Sequence, residues 1–234
     1  MLVAMWVFPL VAAAIALAFA ILLARQFAAR RRPYQALWAI ALFMYAAASA
    51  ALFLGVLRGW TPTVYRAYWL FGAVLNVPFL AQGQMLLLVR NRAVTSALSI
   101  LLLFLTAFAV ARVRTAPLAP GELAKDLPLG KDVFGDGSLP YRLSQLYAYP
   151  AYFLLLGGSA WSAWRMRERP ELRDRAAGAA LIAVGATIVA VGSGVGAGLD
   201  VVPVFSIGLA AGIAVMFLGF LRASRPRRDF PPVR

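Results

Sequence analysis

The sequence predicts an all-α, polytopic membrane protein with seven transmembrane helices. Three observations carry that expectation. Of 234 residues, 62% are hydrophobic and 14% charged, against roughly 45–50% apolar in a soluble domain. The apolar residues fall in long runs, and about 20 in a row cross a ~30 Å hydrocarbon layer as a helix. The basic residues collect between those runs instead of spreading over an amphipathic surface.

Seven runs qualify, over 2–24, 36–57, 67–89, 94–112, 145–164, 176–197 and 202–221, and none carries Asp, Glu, Lys or Arg deep inside. The first lacks a basic segment ahead of it and is too long for a signal peptide's apolar core, so it reads as an uncleaved span. Arg25, Arg30, Arg31 and Arg32 follow span 1, Arg90 and Arg92 span 3, and Arg165, Arg167, Arg169, Arg173 and Arg175 span 5. Five more arginines, Arg222 to Arg234, form the tail. The positive-inside rule puts that richer side in the cytoplasm, which leaves the N-terminus outside and the C-terminus inside. The expected location is the cell inner membrane, multi-pass. Trp6, Trp38, Trp60, Trp69, Trp161 and Trp164 all fall near span ends, where interfacial anchoring accounts for them.

Spans 1–3 and 5–7 share an orientation and echo each other. Phe8-Pro9 and Tyr149-Pro150 begin the two halves, Arg30-Arg31-Arg32-Pro33 and Arg167-Glu168-Arg169-Pro170 form their basic turns, and the distance Pro33 to Gly72 matches Pro170 to Gly208 within one residue. The reading is one seven-helix domain with a 3+1+3 parallel repeat, a recurring transporter design. The first repeat covers 1–92, a linker helix 93–112, an external loop 113–144, the second repeat 145–222 and a basic cytoplasmic tail 223–234. Pro9, Pro78 and Pro150 lie inside spans 1, 3 and 5 and should bend them. Asp200, ahead of Pro203, is expected to cap span 7.

Several chemistries are excluded or disfavoured. The chain has no cysteine and no histidine, which removes thiol chemistry, imidazole acid–base catalysis and most zinc or copper sites. The spans hold no nucleophile–base pair, so an enzyme is not expected, nor is a cofactor. The net charge of +14 is explained by topology, so no nucleic-acid partner is expected. Asp132, Asp136 and Ser138 in the external loop lack the spacing of an EF-hand. The tail should rest on anionic lipid.

Polar residues within the membrane are the candidate ligand contacts. Asn76 on span 3 requires a partner in the bundle interior, with Gly72 and Gly83 near the same face. Tyr45 and Ser49 on span 2, Tyr149 and Tyr152 on span 5 and Ser206 on span 7 lie at comparable depth, and buried tyrosine hydroxyls need partners. Asn76, Tyr45, Tyr149, Tyr152 and Ser206 are therefore the expected ligand-binding set, against packing by interhelical hydrogen bonds alone. Gly192, Gly196, Gly208 and Gly212 form small-xxx-small pairs on spans 6 and 7 for close helix packing, against a neighbouring span, a second copy or a protein partner.

The seven-span plan with an external N-terminus is similar to that of microbial rhodopsins, but no span contains the lysine that retinal requires. The 3+1+3 plan, with Pro9 and Pro150 at matching places, resembles the SWEET and PQ-loop carriers. The Pro-Gln pair of that group is missing, and Asn76 aligns with Gly212, so a paired-asparagine site is broken. The region from Arg30 to Leu87 resembles seven-span sensor modules of bacterial histidine kinases. The expected role is a facilitative small-molecule carrier or binding protein. The alternative is a non-enzymatic receptor-like module or accessory subunit, and a dry, sealed interior would favour it.

Overall fold

The computed structural model describes the backbone of residues 2–198 and 202–224 and the side chains within 6–194 and 203–224. It is 88% helical, and the described residues contain no strand. The α-helices, in order, are α1 (Leu2–Arg30), α2 (Pro33–Arg58), α3 (Pro62–Tyr68), α4 (Asn76–Leu88), α5 (Arg92–Thr115), α6 (Gly130–Phe134), α7 (Leu139–Met166), α8 (Arg173–Gly198) and α9 (Val202–Ala223). Asp200, Gly196's packing face and the tail from 225 onward lie outside the described residues.

Local sequence explains the helix boundaries. Pro33 and Pro62 begin α2 and α3, where a fixed φ and a missing N–H cost nothing. Thr61 caps α3 through Val64, and Asn91 caps α5 through the amides of Ala93 and Val94. The turn between α1 and α2 is tight enough to hold Arg31 at φ 52, a left-handed conformation costing a non-glycine residue roughly 1 kcal/mol. Between α3 and α4 the chain remains helical but widens into a π-helix over Trp69–Leu75. Pro78 supplies the reason: it offers no N–H to the carbonyl of Val74 and its ring crowds that carbonyl. A wider preceding turn relieves both conflicts.

Among the described residues, six helical segments are long and apolar enough to cross a membrane: Trp6–Arg30, Pro33–Arg58, Pro62–Leu88, Arg92–Thr115, Pro170–Gly194 and Pro203–Ala223. That composition suits a multi-pass membrane protein. The sequence leads one to expect seven. Helix α7 has the length, at 28 residues, but Gln145, its tyrosines, Pro150 and the Gly157-Gly158-Ser159 run dilute its hydropathy.

Six rods form a closed ring. Helix α1 packs on α2, α2 on α4, α4 on α7, α7 on α8, α8 on α9, and α9 returns to α1. The rod α3–α4 counts once. Helix α5 stands outside the ring against α4, the π-helical turn and α7. Its attachment is polar: Gln82 Nε2 donates to the Thr95 carbonyl at 3.1 Å and to Ser99 Oγ at 2.9 Å, and Tyr147 donates to the Leu105 carbonyl. Its outer face carries Ile100 and Phe104, both two-thirds exposed.

Five of the six tryptophans divide into two groups, which corrects their uniform assignment to the interface. Trp161 and Trp164 are half exposed, as anchors should be, but Trp38, Trp60 and Trp69 are buried. Each buried indole lies on a glycine, Trp38 on Gly83, Trp60 on Gly55 and Trp69 on Gly130. Each also donates its N–H to a carbonyl on another element. Burying a large ring with its one polar atom satisfied captures its hydrophobic stabilisation without an orphan donor.

Candidate functional site

The middle of the ring is the natural place for a ligand. There Phe19, Trp38, Leu42, Leu80, Leu155, Ile182 and Met216 converge, so every ring rod contributes. They leave an apolar void of about 10 Å³. A water molecule needs roughly 10–15 Å³ and two or more polar partners, and this lining offers none. The axis is dry.

The five residues expected to bind a ligand do not converge on that void. Asn76 is buried at the start of α4, directly after the π-helical turn. Tyr45 is buried and reaches across the ring, donating to the Leu209 carbonyl of α9 at 3.0 Å. Tyr152 pairs with Thr187 of α8 at 3.0 Å. Ser206 is fully buried, and its hydroxyl has no partner among the described residues. Tyr149 is 61% exposed on the outside of α7. Two of the five therefore stitch helices together, one faces outward, and none of them lines the axial void.

The glycines of α8 and α9 face each other. Gly192 meets Gly208 so closely that a Cβ on either would stand 2.7 Å from the other's Cα. Gly185 abuts the Gly212 carbonyl, and Gly178 the Gly219 carbonyl. This stripe is occupied by the neighbouring span within the same chain. At the open end of the hairpin Arg222 pairs with Asp174 at 3.2 Å.

One end of the ring is covered. The segment between α5 and α7 folds back as a short 3₁₀ turn, Pro120–Ala124, followed by α6. Side chains from α2–α3 and the π-helical turn hold its carbonyls. Trp60 Nε1 donates to Asp126 at 3.1 Å, Tyr65 to Pro128, and Arg66 to Ala116 at 2.8 Å, while Trp69 Nε1 donates to Pro140, just inside α7, at 3.2 Å. Tyr65, Trp69, Phe134 and Tyr141 stack beneath these bonds. Lys125 bridges Glu122 at 2.6 Å and lies 3.9 Å from Asp132, which ties the 3₁₀ turn to α6. Glu122 and Asp132 thus help hold the cap together, and no group of three or more metal-ligating side chains occurs among the described residues.

No protein-family model, curated protein or solved structure matches this chain. Sequence reasoning missed the cap contacts and the glycine sockets of the tryptophans. A signal for the sockets was present, since Gly55, Gly83 and Gly130 each interrupt an otherwise bulky stretch, but nothing local says which ring each receives.

Proposed function

We propose that the chain is a seven-span, non-enzymatic inner-membrane module, receptor-like or an accessory subunit. Its N-terminus and cap lie outside and its arginine-rich turns in the cytoplasm. The observation that carries this reading is the filled axis: seven large side chains from six rods around a void of about 10 Å³, beneath a pinned cap. Helix α7 counts as the seventh span because it closes the ring between α4 and α8 and, at 1.5 Å per residue, exceeds a ~30 Å core. The lack of histidine and cysteine supports a role without chemistry. A protein partner approaching spans 6 and 7 would meet their outer residues Val184, Val191, Ile207 and Leu218, all exposed, since the inward glycines are already engaged.

The carrier reading draws support from the ring itself. Its two halves, α1 to α4 and α7 to α9, meet at α4–α7 and at α9–α1. Gly72 lies on Ala48 of α2, and Gly208 on Gly192 of α8, so in each half a glycine of the third rod faces the second. That is the arrangement a parallel repeat would give, and a facilitative path would run along the axis.

Native mass spectrometry of gently solubilised protein from its host separates the two. A protein bound at fixed stoichiometry, with no small molecule other than phospholipid, supports the module. A reproducible small-molecule adduct supports the carrier. Orientation has its own test, because the chain has no native cysteine. Ala116→Cys should react with an impermeant thiol reagent on intact cells and Arg31→Cys only after permeabilisation, and the reverse pattern would overturn the topology.

A further inference from the structure

The end of the ring opposite the cap holds a larger opening. Leu88 at the end of α4 and Trp161, Ser162, Arg165 and Met166 at the end of α7 form its walls, and Arg169 and Leu172 of the following turn form its floor. It has room for about 280 Å³, the size of a headgroup and smaller than most drug-sized sites.

Its polar chemistry is cationic. Ser162 already donates to the Gly158 carbonyl at 2.8 Å, which leaves the two guanidinium groups as the charged donors of the lining. Arg167 holds Glu168, and Arg222 holds Asp174, so two of the nearby carboxylates are occupied. Neither Arg165 nor Arg169 makes an ion pair among the described residues, and neither does Glu171 in the same turn. Two planar forks at one opening suit an oxyanion such as a phosphate, because each can give paired N–H bonds to its oxygens.

A second, apolar feature leads into this opening. Along the outside of α7, Phe153, Gly157, Ala160, Trp161 and Trp164 share one exposed face at helical spacing. Phe153 is 65% exposed and both tryptophans are 51% exposed. A Cβ on Gly157 would meet nothing within 4 Å, so the face carries a shallow trough between Phe153 and Trp161. Trp161 belongs both to this face and to the lining of the opening.

We propose that this groove holds one anionic phospholipid. Its phosphate sits between Arg165 and Arg169, and an acyl chain lies in the trough over Gly157. The proposal rests on α7 being a span, since only then does the trough face hydrocarbon. Basic pockets between helices at the cytoplasmic surface recognise anionic headgroups in this manner.

The test uses the whole chain in a bilayer of phosphatidylglycerol and phosphatidylcholine in equal parts, followed by native mass spectrometry. The wild-type protein should retain one phosphatidylglycerol in preference to phosphatidylcholine by roughly tenfold, as two exposed arginines near an anionic surface allow. R165Q/R169Q should lose the preference, while R173Q/R175Q, on α8 outside the groove, should keep it. G157F should weaken retention by filling the trough. No preference in the wild type, or an unchanged preference in R165Q/R169Q, would overturn the proposal. Displacement of the lipid by millimolar inorganic phosphate would reassign the groove to a soluble phosphate ester and equally overturn it. The span reading fails differently. Ser138→Cys and Leu172→Cys, at the two ends of α7, would then react with an impermeant reagent from the same side of the membrane.

Discussion

The α2–α4 contact and the α8–α9 hairpin solve the same packing problem in opposite ways. Both bring two helices close in a setting where apolar burial gives little drive, so shape and hydrogen bonds must hold them. In the first, glycine is a socket: Gly83 receives the Trp38 ring, and the indole N–H donates to the Leu80 carbonyl at 3.0 Å. In the second, glycine is bare surface: Gly192 lies on Gly208, and Gly185 and Gly178 on facing backbone carbonyls. A socket is filled by a side chain that can move, whereas backbone contacts leave nothing to adjust. The second region should therefore be the less forgiving.

Substitutions can break or sharpen that contrast. The largest effect is expected from Gly185→Leu, whose side chain would collide with the Gly212 carbonyl and with Met216. Stability in detergent should fall by about 3 kcal/mol or more, and trimming Met216 to alanine should not restore it. Gly194→Ala on the same helix, where a Cβ meets nothing, is the control. It should be neutral or stabilising by up to roughly 1 kcal/mol. Equal losses at the two positions would end the bare-surface account. Gly83→Ala should cost about 1–3 kcal/mol. Here the double variant with Trp38→Leu should be non-additive by about 1 kcal/mol or more in a thermodynamic cycle.

The cap offers an intermediate case. Trp69→Phe removes the donor to Pro140 and should cost about 1 kcal/mol, seen as faster proteolysis between residues 116 and 138. Tyr45→Phe, losing one bond to Leu209, should cost about 0.6 kcal/mol. The smallest effect belongs to Asp174→Asn. Its pair with Arg222 has side chains 43% and 47% exposed, so thermal stability should change by less than about 0.5 kcal/mol.

Features governed by local chain properties were legible in the sequence. Helix positions followed from apolar runs, the proline starts from fixed φ, and an irregularity in span 3 from Pro78. The pairing of Gly192 with Gly208 follows the small-xxx-small pattern, although the sequence could not say whether the facing surface lay in the same chain. What escaped depends on rotation about a helix axis. Tyr149 and Tyr152 are three residues apart and equally polar, yet one is outside and the other bonds Thr187, because no charged face fixes the rotation of α7. Trp38 and Trp164 are the same residue type near span ends, and only the ring decides that one is core. The exclusion of α5 from the ring is likewise a property of the whole assembly, although Gln82, which tethers it, was visible as a polar residue in span 3.

The central claim is that the axis of the ring is closed to water. Leu42 lines the axial void and is 1% exposed. In the cysteine-free chain, Leu42→Cys places a single thiol there. In folded protein in a bilayer, a small hydrophilic thiol reagent supplied from either side should leave it unmodified, with full labelling only after denaturation. Labelling of the folded protein, from one side or from both, would mean that water reaches the axis and would replace the sealed module with a conducting path.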